Sequence, residues 1–108
     1  MTPDDKLELG ESELEVLKNI FSRWLKSDFD WAVGILINEG SSGEEDEWDF
    51  LRTDWVDKYE TWLYPYIMRL RDTEHITKEQ TRFFNNWAYD QMALMLEALY
   101  SLEVREDD

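Results

Sequence analysis

EEDEWDFLRTDWVDKYETWLYPYIMRLRD, residues 44–72, is the stretch on which the fold turns. Within it Trp48, Leu51, Trp55, Tyr59, Trp62, Tyr66 and Leu70 recur at three- and four-residue steps. That spacing places side chains on one face of an α-helix. Proline removes a backbone donor and crowds the preceding turn, yet the stripe stays in phase across Pro65. The pattern predicts one long helix over 44–72, kinked at the proline, rather than two unrelated segments.

The neighbouring sequence is also helical in character. Ser12 followed by Glu15 reads as a capping box, in which each side chain satisfies a backbone donor at a helix start. Leu14, Leu17, Ile20, Phe21, Trp24 and Leu25 then form an apolar stripe, with Glu13 and Glu15 near one end and Arg23 and Lys26 near the other, as the helix dipole favours. This predicts a first helix over 13–27, preceded by a mobile acidic lead, residues 1–11. Ser27-Asp28-Phe29-Asp30 reads as a break, with Asp28 or Asp30 able to cap a second segment. Trp31 to Ile37 is apolar on every side. Val33, Ile35 and Ile37 favour a strand, but no other segment offers a strand to pair with it. A short buried helix ending at Gly40 is therefore expected.

Gly40 to Gly43 reads as a flexible loop and 72–75 as a turn. Thr77 with Gln80 is a second capping box, opening a last helix over 78–103 whose apolar face includes Phe83, Phe84, Trp87, Met92 and Leu99. Glu103 to Asp108 reads as a frayed acidic tail. The expected fold is all-α: a four-helix bundle, residues 12–103, with one long Pro-kinked helix and acidic flexible termini. The seven-residue intervals Trp24–Trp31 and Trp48–Trp55–Trp62 reflect two helical turns rather than duplicated modules.

Composition narrows the function. The 108 residues carry 26 acids, 11 Lys and Arg, and a formal net charge of −15. A small domain is soluble at a net charge of magnitude about 2–8, so the excess points to a positively charged partner. It is concentrated at both ends and in residues 41–60, where eight acids face two bases. Residues 61–82 are slightly basic, with Arg69, Arg71, Lys78 and Arg82, which weakens a purely halophilic explanation. The absence of cysteine excludes disulfides, thiolate metal sites and a cysteine nucleophile. The acidic first fifteen residues do not resemble a secretory signal. Trp31 to Ile37 falls far short of the ~20 residues that span a bilayer, and anionic membranes repel so acidic a chain. The cytoplasm, of a cell or of an infected host, is the expected compartment.

The candidate partner-binding residues are Glu44, Glu45, Asp46, Glu47, Trp48, Asp49, Asp54, Asp57 and Glu60. Carboxylates in a first helical turn stabilise its N-terminus, which accounts for Glu44 to Glu47 but not for Asp54, Asp57 and Glu60. Asp46, Asp49, Asp57 and Glu60 share a stripe whose carboxylates are spaced about 4.5–6 Å along the axis. Duplex DNA carries a phosphate every ~3.4 Å per strand, so one stripe is a sparse imitation. The Trp48/Trp55/Trp62 seam reads either as core or as an aromatic anchor for a partner or a second copy. Trp48, at the acidic start of its helix, is the one expected to be exposed.

Catalytic readings are thinner. Glu45 to Asp49 resembles the aspartate-rich motif of prenyl-transfer enzymes but lacks its second copy. Calcium-loop spacing is absent. Glu44/Glu47 followed by Asp54/Asp57 resembles, with a substituted second half, the carboxylate pairs of MazG-type pyrophosphohydrolases. His75 is the single histidine, and there is no glycine-rich phosphate loop. No cofactor or metal is expected, and neither is direct nucleic-acid binding. In size and charge alone the chain resembles phage-encoded blockers of restriction or CRISPR complexes, and equally immunity proteins and antitoxins. The expectation is a non-enzymatic acidic inhibitor or interaction protein on a basic partner surface. The alternatives are a homo-oligomeric (homodimeric) assembly factor and the pyrophosphohydrolase.

Overall fold

The computed structural model describes residues 1–40 and 47–106, as backbone alone for the last four. Helix α1 spans Pro3–Glu39, α2 Asp49–Lys58, α3 Tyr64–Asp72 and α4 Lys78–Glu106; a π-helical turn, Tyr59–Leu63, joins α2 to α3 without interruption. The fold is all-α among the described residues, as expected, but it consists of three helical rods rather than a four-helix bundle. The rods are α1, the α2–π–α3 unit and α4.

The expected break at 27–30 does not occur, and neither does a separate helix at 31–37. Asp28 occupies a core-facing step of the α1 stripe Phe21, Leu25, Asp28, Ala32, Leu36, and its carboxylate accepts the Trp55 indole N–H at 2.7 Å. An aspartate engaged with another helix does not compete for its own backbone, so the helix runs through it. The run after it is only partly enclosed: Ala32 and Leu36 are buried, while Trp31 and Ile37 are exposed. Gly40 does end the helix, its N–H reaching the Leu36 carbonyl at φ 76°.

The mobile lead is likewise corrected. Thr2 and Asp5 form the capping box that starts α1, with Pro3 in the first turn, and Ser12 lies exposed within the helix. Residues 3–11 thus belong to the longest helix. Gly10, far from being a breaker, is buried where α1 crosses the α3–α4 turn; a Cβ there would collide with the His75 carbonyl and with Ile76. That turn is closed by Glu74 in the left-handed region (φ 64°) and by His75 N–H donating to Leu70 O at 2.8 Å. The Thr77–Gln80 box opens α4 as expected, and α4 extends to Glu106 rather than fraying at 103.

The middle rod runs antiparallel to α1 and α4. Its core stripe is Leu51, Trp55, Tyr59, Leu63, Ile67 and Leu70. Up to Tyr59 this matches the stripe read from sequence; beyond it the residues shift by one, from Trp62 and Tyr66 to Leu63 and Ile67. The π-turn causes the shift: Tyr64 N–H bonds to Tyr59 O, five residues back, so one additional residue is accommodated per turn. The Cα extents are 59 × 18 × 17 Å and the radius of gyration 17.1 Å. A compact domain of ~100 residues has about 13 Å, so this molecule is a slender rod. The core is accordingly a thin seam along its axis.

Two helical glycines should respond in opposite ways to alanine. Gly10→Ala forces the helix off the 75–76 turn and should cost about 1–3 kcal/mol. A Cβ on Gly34 meets nothing within 4 Å, so Gly34→Ala should stabilise by about 0.5–1 kcal/mol through helix propensity alone. Urea melts of the two variants check both signs.

Candidate interaction surface

Glu44, Glu45 and Asp46 lie outside the described residues. Trp48, expected to be exposed, is 2% accessible. Its ring is covered edge-on by Trp31 at 6.4 Å and packs against Phe50 at 6.2 Å. α2 begins only at Asp49, so Trp48 precedes the helix and folds beneath α1 instead of standing at an acidic mouth. Its backbone N–H donates to the Tyr100 hydroxyl at 3.4 Å. Glu47 beside it is half-buried.

The remaining acids do not form one free stripe. Tyr100 donates to Asp49 at 2.7 Å and Tyr89 donates to Glu60 at 3.0 Å. Asp49 and Glu60 are eleven residues apart, as are Tyr89 and Tyr100, so both bonds lie along one antiparallel α2/α4 seam. Asp54 lies on the α1 side, bridged to Lys58 at 3.0 Å, and Lys58 also approaches Asp28 at 3.9 Å. The Asp54 bond holds the Lys58 ammonium above its ordinary range, against the opposing effect of partial burial. Asp57 is simply exposed. Among the described α2 and π-turn carboxylates, Asp49 and Glu60 therefore face α4, Asp54 faces α1 and Asp57 faces solvent.

The sequence left open whether the Trp48/Trp55/Trp62 seam is core or anchor; the structure buries Trp48 and Trp55 and exposes Trp62. Trp62 is 68% accessible and, with Trp24 and Lys58, lines a shallow apolar cleft. Trp31 and Phe50 are also exposed, with rings 6.2 Å apart, and Phe83 is 70% accessible on α4. Aromatic side chains are enriched at protein–protein interfaces relative to the rest of the surface. A signal for Trp62 was present: Leu63 and Ile67 offered a competing stripe in step with Tyr59.

A second cleft of about 420 Å³ lies between the π-turn and α4, lined by Tyr59, Glu60, Tyr64, Asn85 and Tyr89. Tyr59 is fully buried, and its hydroxyl has no hydrogen-bond partner among the described residues. Burial, reinforced by the neighbouring Tyr89 and Tyr64 hydroxyls, pushes Tyr59 far above the usual phenol range. Burial and then the Glu60 bond raise Tyr89, while Tyr66 is raised first by its bond to Glu13, at 3.0 Å. Among the described residues no group of three or more His, Asp or Glu side chains is placed to hold a metal ion. Of the carboxylates matched to the pyrophosphohydrolase pattern, Glu44 lies outside the described residues and Asp54 is bridged to Lys58.

Asp28→Ala should cost about 1–3 kcal/mol by stranding the buried Trp55 N–H. Asp57→Asn should stay within about 0.5 kcal/mol, as chemical denaturation of both would show. Raised phenol pKa values favour the folded state only while the phenols stay protonated. Their contribution is therefore complete below the unfolded-chain value of ~10 and is lost as pH rises from there through the folded values. Stability should fall above about pH 10, and Tyr59→Phe, which removes an unsatisfied buried hydroxyl, should flatten that decline. Urea midpoints across the alkaline range measure it. Compared with protein-family models, curated proteins and solved structures, the chain matches none.

Proposed function

We propose that this chain is a non-enzymatic acidic interaction protein that occupies a basic surface of a larger partner, standing in for nucleic acid. The observation that carries the reading is a net charge of −15 on a rod 59 Å long with exposed tryptophans along it. That length corresponds to about 17 base-pair steps at ~3.4 Å each. Its mean charge density, about one net charge per 4 Å, is less than half the one per ~1.7 Å of duplex DNA. Charge alone would therefore give encounter and orientation rather than tight binding. Trp62, beside Trp24 on the α1 seam, supplies the kind of aromatic anchor that desolvated contacts need. Several carboxylates are spent on internal bonds, so the acidic face is formed by the rod as a whole and not by the 44–60 segment alone.

Self-association is the second reading, favoured by the apolar side chains of Trp62, Phe83 and Ile37, each more than two-thirds exposed. One experiment separates the two. The chain, immobilised and exposed to extract of its native cell or host, should retain a basic nucleic-acid-binding protein. Retention should weaken at least about tenfold between ~50 and ~200 mM salt, and duplex DNA should compete for the same partner. Trp62→Ala should weaken that complex by about 2 kcal/mol without lowering stability. Salt-insensitive dimerisation in sedimentation, with no salt-sensitive partner, would replace the first reading with the second.

A further inference from the structure

We infer that the cleft between the π-turn and α4 is a receptor for an arginine side chain of the partner, held against Tyr64 and Tyr89 and paired with Glu60. The inference rests on the acidic-interaction reading and gives it a specific contact. The cleft joins three tyrosines, a carboxylate and a carboxamide, Asn85, in one place. The Tyr59 ring lies 6.2 Å from that of Tyr64 and 5.8 Å, edge-on, from that of Tyr89. Aromatic faces attract cations through their quadrupole.

The polar groups decide which cation. Tyr89 donates to one oxygen of Glu60, which leaves the other to receive a ligand. Asn85 offers a carbonyl oxygen, and the Tyr59 hydroxyl is a buried polar group with no partner among the described residues. A quaternary ammonium brings no donor to the Glu60 oxygen. A guanidinium brings five, in a planar head that also stacks on aromatic rings, where an ammonium offers three from a compact point.

Local charge and backbone agree with this assignment. Along α4, Asp90 and Glu97 are the charged residues between Phe83 and Leu102, and Arg82, one turn before Asn85, is the cation on that face. The π-turn begins at Tyr59, and Glu60 and Tyr64, four residues apart across it, both line the cleft. Such turns interrupt α-helices disproportionately at functional positions.

The test is titration of the intact protein with a capped tripeptide, Gly-Arg-Gly, at low salt, followed by nuclear magnetic resonance of the tyrosine rings. The citrulline analogue, which keeps the shape and loses the charge, is the reference. Saturable shifts of Tyr64 and Tyr89 are expected with arginine and not with citrulline. Glu60→Gln and Tyr64→Leu should each weaken binding about tenfold. Glu8→Gln, an equal charge change on α1, should weaken it less than about twofold. Melting curves confirm that each variant is folded; Tyr89→Phe, which keeps the ring and releases the Glu60 oxygen, serves if Tyr64→Leu is not. If Glu60→Gln and Glu8→Gln weaken binding equally, or the ring signals stay still while arginine binds, the receptor is overturned and the diffuse acidic surface stands. If the arginine peptide does not bind at all at low salt, the receptor and the acidic-surface reading both fall.

Discussion

The packing of Tyr59 at the junction of all three rods is the constraint that organises the molecule. Its ring lies 5.5 Å from Phe21 of α1, and on α4 it stacks on Phe84 at 6.4 Å and meets Tyr89 edge-on. In a rod only 18 × 17 Å across its Cα atoms, Tyr59, Phe21 and Phe84 together fill the core at this level. Burying a ring of 150–250 Å² is favourable by several kcal/mol, more than enough to hold an unpaired hydroxyl that costs about 1–3 kcal/mol. The middle helix is therefore fixed at Tyr59, and the residues after it must adapt.

They adapt by widening one turn. With Pro65 unable to donate to the preceding turn, the backbone closes through Tyr64 to Tyr59 and the stripe moves by one residue. Leu63 and Ile67 enter the core; Trp62 is turned outward against Trp24 and Lys58. The same turn places Glu60 opposite Tyr89 and opens the tyrosine-lined cleft. The core stripe and both clefts thus have one cause.

The second organising contact, Asp28 to Trp55, explains why α1 is one helix. Phe21, Leu25, Ala32 and Leu36 describe a clear stripe once Asp28 is admitted to it. Reading along the chain, an aspartate flanked by Ser27 and Asp30 signals a cap, because its side chain usually serves nearby backbone. Here it serves an indole on another helix, a partner 27 residues away that no local pattern announces. Gly10 escapes a local reading for a similar reason: its lack of a side chain is used by the 75–76 turn, not by its own backbone.

The sequence alone determined the helical class, the Thr77–Gln80 start of α4, the Gly40 end of α1, and the core stripe as far as Tyr59. Each is written in local spacing or in a cap whose partners lie within four residues. The number of rods, the burial of Trp48 and the exposure of Trp62 were decided by the tertiary structure, as was the engagement of Asp49 and Glu60 with α4 while Asp57 stays in solvent. These depend on which of two adjacent apolar stripes faces the neighbouring helix. That choice is made by long-range contacts at Tyr59 and Asp28, where several-kcal packing and hydrogen-bond terms outweigh the fractions of a kcal/mol that local propensity supplies.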